Sequence, residues 1–265
     1  MWKFSKATRA SPKNTHLMEY LEYFERFPNA YAKIVKSLNR IETLCAYLEE
    51  SGLLDSARTV LSIGCGNAAV EVALAKKYGF SLGLVEPAED YMKSALSAAE
   101  SAGVKVLEAH PGSFESYRSE ERYDLVLSLY SWFAFEFDRA VLEKALACRN
   151  DSGKLLICLQ GEASPSTQIS SLSRAAGINL TSEKISAWAL GEGFPHEIDT
   201  YHGKVASSQY LQEDGLSPTG RDLVSFLLAT PWEDMKKERV STATEILRSS
   251  LKDGWVDFQS PCLIF

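Results

Sequence analysis

At 265 residues, 45% apolar and 24% charged, the chain is long enough to bury a full core, and its composition is that of a globular domain with an accessory layer rather than of a disordered segment. No stretch approaches the roughly 18 uninterrupted apolar residues of a membrane span, and the opening Met1-Trp2-Lys3-Phe4-Ser5-Lys6 lacks the apolar core of a secretory signal, so a cytoplasmic monomer without membrane contact is expected. A formal charge of −7 argues against phosphate-backbone binding, so nucleic acid is not an expected partner, and five cysteines without a C-x-x-C pair argue against a disulfide framework or a metal site.

In chain order, Leu17, Leu21 and Phe24, then Tyr31, Ile34, Leu38, Ile41, Cys45 and Leu48, recur at helical spacing on either side of Pro28. Two helices follow from this, broken at Phe27-Pro28-Asn29 and stopped at Ser51-Gly52, forming an N-terminal helical arm over residues 1–52. From Thr59 onward, short β-branched runs alternate with helical stretches, the pattern of βαβ units in a parallel sheet. The expected strands are Thr59 to Ile63, Ser81 to Glu86, Val104 to Ala109, Tyr123 to Leu129 and Lys154 to Gln160, with intervening helices ending at Gly79, Gly103 and near Asn150. Beyond them come a helix near Thr181 to Leu190, a strand near His196 to Lys204, helices from about Thr219 and Trp232, and a terminal run from Trp255 to Phe265. Pro261 suits that last run to a sheet edge. The expectation is a doubly wound α/β domain over 53–265, with a mostly parallel seven-stranded sheet and accessory helices near 205–252.

Val60-Leu61-Ser62-Ile63-Gly64-Cys65-Gly66-Asn67-Ala68-Ala69-Val70-Glu71 reads as a buried strand entering a glycine-rich turn and then a helix. Gly64 and Gly66 have no Cβ to clash, so a ligand can approach the backbone and the N–H groups of the helix start. Glu86 ends the next strand, 20 residues beyond Gly66, where a carboxylate accepts both hydroxyls of a ribose. This geometry fits an adenosine ligand. Gly64-x-Gly66-x-x-Ala69 also fits a dinucleotide fingerprint, so a nicotinamide-dependent oxidoreductase stands beside it at this point.

The segment resembles the class I methyltransferases. Leu61-Ser62-Ile63-Gly64-Cys65-Gly66-Asn67 is similar to their first motif and Leu84-Val85-Glu86-Pro87 to their second. Ala109-His110-Pro111-Gly112-Ser113-Phe114 is similar to their adenine loop, Tyr123-Asp124 through Phe133 to their fourth motif, and Asn150-Asp151-Ser152-Gly153-Lys154 to the turn before their fifth strand. The resemblance implies S-adenosylmethionine as cofactor, with Gly64, Cys65 and Gly66 under its methionine part and Glu86, Pro87 and Tyr91 at the ribose. It places His110, Pro111 and Ser113 at the adenine, and Ser128 and Leu129 along the crevice. Tyr20 through Phe27, the first two motifs and the C-terminal order from Thr181-Ser182-Glu183-Lys184 further resemble histamine N-methyltransferase and its relatives. The polar groups that hold histamine there are replaced, with Lys33, Tyr130 and Ser260 at the positions of a carboxylate and two amides.

Methyl transfer from a sulfonium is an in-line displacement, so the protein mainly has to align an attacking lone pair with the methyl carbon. Tyr130 leaves the C-terminal end of a central strand, where ligands bind in open sheets, and is the residue assigned to catalysis. Tyr20, Phe24, Phe27, Trp132 and Phe133 fit an aromatic wall around an amine-bearing small molecule, and they fit ordinary core as well. His196 and His202 share strand parity, which allows a base on one face and equally a pair of surface histidines. Cys65 reads as a small apolar packing residue. The expected activity is therefore methylation of a small molecule, at an amine nitrogen or alternatively at oxygen. A binding module that keeps the cofactor site without turnover is the third reading.

Overall fold

The computed structural model describes residues 38–172 and 180–265. The arm's first helix lies outside the described residues, with His16, Tyr20, Phe24, Phe27 and Lys33. Of the second, α1 (Arg40–Glu50) is described; it stops where Ser51 N–H donates to Tyr47 O at 2.9 Å and Gly52 turns left-handed.

The chain then alternates β1 (Thr59–Ile63), α2 (Ala69–Tyr78), β2 (Ser81–Val85), α3 (Glu89–Ala102), β3 (Val106–His110), β4 (Tyr123–Leu129), α4 (Arg139–Ala147) and β5 (Arg149–Cys158). There follow α5 (Pro165–Ser170), α6 (Ser182–Gly191), β6 (Glu197–Ala206), α7 (Ser207–Tyr210), β7 (Leu211–Gln212), β8 (Gly215–Leu216), α8 (Pro218–Leu227), α9 (Lys237–Ser249), β9 (Leu251–Lys252) and β10 (Trp255–Ile264). Two compact units result. One comprises Ile41–Leu159, Leu180–Tyr201 and Ser260–Phe265; the other gathers His202–Gln259 with the described parts of 1–40 and 160–179.

The strand order is β3-β2-β1-β4-β5-β10-β6, with β9 paired to β10 as an eighth strand. β1 to β5 are mutually parallel, and β10 runs antiparallel to β5. The expected seven strands are present and β9 adds one. The terminal strand is not at the edge: it lies between β5 and β6, and β6 takes the edge. This order departs from the 3-2-1-4-5-6 of dinucleotide-binding sheets.

Pro261 is accommodated inside the sheet by a substitute donor. Leu155 and Phe265 exchange both backbone hydrogen bonds, at 3.1 and 2.9 Å, and Cys158 faces Cys262. The next facing pair is Leu159 with Pro261, which has no N–H. Ser182 Oγ instead donates to Leu159 O and accepts from Leu159 N–H, both at 3.1 Å.

Helices cover both faces of the central parallel strands, so their middle stretches are largely apolar. Val60, Leu82, Leu84, Leu125, Leu127 and Leu156 join Leu44 and Leu48 of α1 in one core layer, while Leu61, Ile63, Val126, Leu155 and Ile157 join Val141 and Leu142 of α4 in the other. Tyr123 and Leu125 share parity yet face opposite layers, because the β4–β5 register shifts between them. Asp124 sits at that shift and clasps three strands. Its Oδ2 accepts from Arg58 N–H at 2.7 Å, Thr59 N–H at 2.9 Å and Thr59 Oγ at 3.1 Å, and its Oδ1 accepts from the Asn150 side chain.

In the second unit, Val205, Tyr210, Leu223, Val224, Leu227, Ala243, Leu247, Val256 and Phe258 form a separate apolar cluster. Among the described residues no helix is long and apolar enough to cross a membrane.

Partial burial disfavours the Asp124 charge, but the N–H donors from Arg58, Thr59 and Asn150 outweigh it and hold the carboxyl below its ordinary 3.8. Such a group contributes stability that is present above its unfolded value and lost as pH falls through its folded one. Asp124→Ala is expected to lower the unfolding free energy by about 2 kcal/mol near neutral pH, the scale of hydrogen bonds to a charged group. In urea melts at decreasing pH, the gap between wild type and variant should shrink below the unfolded aspartate value; a gap independent of pH would exclude the carboxylate as its source.

Candidate functional site

The glycine turn forms because β1 ends against two neighbours. Gly64 N–H and Cys65 N–H donate to Val85 O at the end of β2, at 2.8 and 3.2 Å. Gly64 and Gly66 take φ of +68° and +56°, and Ala68, at +53°, closes the turn with its N–H on Cys65 O at 2.9 Å. A Cβ on Gly64 would lie 2.5 Å from Ser131 Cβ, whereas one on Gly66 would meet nothing within 4 Å. The first glycine is thus dictated by the chain beside it; the second presents bare backbone to open space.

Glu86 stands next to this turn and is only 7% exposed. Its Oε2 accepts from Gly66 N–H and its Oε1 from Ala88 N–H, both at 2.9 Å, and its own N–H donates to His110 O at 3.1 Å. Burial raises its carboxyl above the ordinary 4.5, against the pull of the two N–H donors. The ends of β1, β2 and β3 are joined through this one residue.

After β3, His110 Nε2 lies 2.9 Å from Ser116 Oγ, which donates to Ser113 O at 2.7 Å. Pro111 and Ser113 are exposed, as is Pro87; Tyr91, in the first turn of α3, is half-buried. After β4, Tyr130 turns left-handed at φ +57°, its N–H donates to Cys158 O at 2.8 Å and its hydroxyl lies 2.7 Å from Ser260 Oγ. Two of the three positions where the resemblance replaces histamine-holding groups are therefore bonded to each other.

The structure brings Gly64, Cys65, Gly66, Glu86 and His110 together around the ends of three strands, and Tyr130 to the end of the fourth. Two other assignments, Ser128 and Trp132, fall on fully buried side chains. Ser128 is fully buried, and its hydroxyl reaches Ser131 Oγ at 2.7 Å; Ser131 Oγ in turn donates to Ile63 O at 2.5 Å. Ser131, which sequence reasoning missed, is thus the serine at the glycine turn. Trp132 is fully buried in the core, its ring edge-on to Phe135 at 5.3 Å, so it faces no ligand; Phe133 packs against the same layer and Leu129 against the opposite one.

The two histidines do not share a face in β6. His196 precedes the strand, with Nε2 2.8 Å from Ser186 Oγ and Nδ1 3.0 Å from Phe194 O, and His202 Nδ1 lies 2.8 Å from Asp257 Oδ2. Cys65 is buried, and burial pushes its thiol up, as packing requires. All five cysteines are free thiols, Cys45 pushed up to about 11 by burial and by Glu49, Glu71 and Glu42. Sequence reasoning also missed Glu71, whose fully buried carboxyl accepts from Ser62 Oγ at 2.6 Å and is raised above 4.5 by desolvation.

Two solved structures share this architecture. A Bacillus halodurans C-125 protein described as a methyltransferase is 15% identical over 83% of this chain and 96% of its own, with a TM-score of 0.54. A SAM-dependent methyltransferase from Thiobacillus denitrificans, in complex with S-adenosyl-L-homocysteine, is 14% identical over 85% of this chain and 90% of its own, with a TM-score of 0.53. The chain has the class I methyltransferase fold. No protein-family model and no curated protein matches it. The narrower resemblance to histamine N-methyltransferase gains no support from the two solved structures.

Gly64→Ala is expected to cost at least about 2 kcal/mol, since the left-handed backbone alone costs a side chain roughly 1–2 kcal/mol and the Ser131 contact adds to it. Adding Ser131→Gly should recover the steric share and leave the backbone share. Denaturant melts of the single and double variants measure both; equal melts would show that the close approach carries no energy.

Proposed function

We propose that the chain transfers a methyl group from S-adenosylmethionine to a small-molecule acceptor. The observation that carries this reading is the buried Glu86 carboxylate, hydrogen-bonded to Gly66 N–H beside an open glycine turn, in a sheet whose antiparallel β10 lies between β5 and β6. The residues present fit the cofactor. Gly66 offers backbone where a Cβ would occupy open space. Each Glu86 oxygen uses one lone pair on the protein and keeps another for a ribose hydroxyl.

When bound, the cofactor supplies an electrophilic methyl carbon on a sulfonium. Gly64, Cys65 and Gly66 are assigned to its methionine part, Glu86, Pro87 and Tyr91 to the ribose, and His110, Pro111 and Ser113 to the adenine. Leu129 is assigned with the cofactor residues and Tyr130 to the acceptor side. Catalysis then consists of alignment, because displacement at the methyl carbon requires a near-attack geometry and no covalent intermediate.

An amine nitrogen is the acceptor favoured by the resemblance to histamine N-methyltransferase and by the acidic balance, formally −7, which attracts cationic ligands. An amine also needs no dedicated base where a desolvating aromatic pocket disfavours its protonated form. The Tyr130–Ser260 pair puts two hydroxyls, bonded to each other, in place of the two amides that the resemblance implies, which speaks for an acceptor other than histamine.

Calorimetry on the purified protein should give micromolar binding of S-adenosylhomocysteine and none of a nicotinamide dinucleotide; the reverse would overturn the reading in favour of an oxidoreductase. Glu86→Ala should weaken that binding by about 1.5–3 kcal/mol, the range for hydrogen bonds to a charged group. Because burial raises the Glu86 carboxyl above 4.5, wild-type affinity should fall as pH is lowered through that raised value. An affinity indifferent to both changes removes the ribose assignment.

A further inference from the structure

We infer that Lys144, on α4, is a positioning residue for the adenine end of the cofactor site, acting through the loop after β3; the inference rests on the cofactor reading above. That loop makes a single turn, in which Ser116 N–H and Tyr117 N–H donate to Ser113 O at 3.0 and 3.2 Å. Phe114 O also accepts from Tyr117 N–H at 3.1 Å, and each carbonyl of this segment has a second lone pair for a donor from another element. Three of them meet one ammonium group: Lys144 Nζ donates to Phe114 O at 2.5 Å, Tyr117 O at 2.6 Å and Glu115 O at 3.1 Å. An ammonium has three N–H donors, so these carbonyls use all of them.

The same Nζ lies 4.8 Å from the Phe114 ring centroid and 5.8 Å from that of Tyr117. The two rings stack on each other at 5.8 Å, both are buried, and the His110 ring meets Tyr117 edge-on at 5.7 Å. Lys144 therefore joins α4 to a loop whose other end is His110 to Ser113. Arg118 also donates to Glu115 O and Tyr117 O, each at 2.7 Å, but it is exposed and its bonds stay within three residues of itself. It stiffens the turn without fastening it to another element, which makes it the natural control.

The consequence is a loss of cofactor affinity rather than of competent protein when Lys144 is changed. Titration calorimetry with S-adenosylhomocysteine on wild type, Lys144→Met, Lys144→Arg and Arg118→Ala tests this. Lys144→Met should raise Kd about tenfold with one site per chain retained, the loss expected when a charge-assisted set of hydrogen bonds no longer holds the loop. Lys144→Arg, which keeps the charge but presents a planar fork, should recover part of that loss, and Arg118→Ala should stay within about twofold of wild type. If the Met variant does not fold, the Arg variant carries the test, with a Kd raised about threefold at unchanged stoichiometry. Wild-type Kd in the Lys144 variants, or a lowered stoichiometry at unchanged Kd, would overturn the inference alone and leave Lys144 a structural plug. A wild-type chain that binds no S-adenosylhomocysteine overturns the cofactor reading and this inference with it.

Discussion

A carboxylate that has lost nearly all of its water must be answered by hydrogen-bond donors, and Glu86 is answered by backbone N–H groups from the two segments it joins. The bond to Gly66 fixes where the turn after β1 lies relative to β2, and the Glu86 N–H on His110 O fixes β3 on the other side. Desolvation works against the charge, so the arrangement is costly to leave half made. A turn held in this way is organised before any ligand arrives, and a ligand bound to it spends less of its interaction energy on ordering the protein. The φ values of Gly64, Gly66 and Ala68 and the approach of Ser131 to Gly64 are consistent with this single fixed path for the chain.

Strands β1 and β4 are readable to the residue because each is a short apolar run bounded by turn chemistry and buried on both faces. β3 begins two residues later than its β-branched run suggests. Val104 N–H is used to bond Ala99 O, and Gly103 N–H to bond Glu100 O, closing α3 before the strand can start. β5 begins five residues earlier than expected, since Asn150 bonds Asp124 across the register shift and draws the supposed turn into the sheet. The place of β10 was not legible at all. Strand order depends on which apolar edges meet in three dimensions, and a proline pointed to an edge until Ser182, distant in sequence, supplied the missing donor.

The site divides along the same line. Glycine at a turn and an acidic residue ending the next strand announce themselves, because few other residue types perform those tasks. Ser131, Glu71 and Lys144 carry no such signal. A serine, a glutamate and a lysine are ordinary on a helix or a loop, and their meaning comes from partners 68, 9 and 27 to 30 residues away. Trp132 shows the opposite error, in which an aromatic residue beside a crevice reads as a wall of it and is core.

The sheet also constrains the chemistry that can be built on it. β1 and β4 are neighbours and leave the sheet in the same direction, so their following loops, carrying Gly64 and Ser131, must share the space above a single inter-strand gap. The glycine yields that space to the serine, and the chain after β4 then turns left-handed at Tyr130, whose hydroxyl meets Ser260 on β10. On the proposed reading, the cradle for a nucleoside and the first polar groups for an acceptor come from adjacent strand ends. A reaction that requires only alignment of two ligands is the kind of reaction such a scaffold can support without a metal-binding cluster or an activated nucleophile.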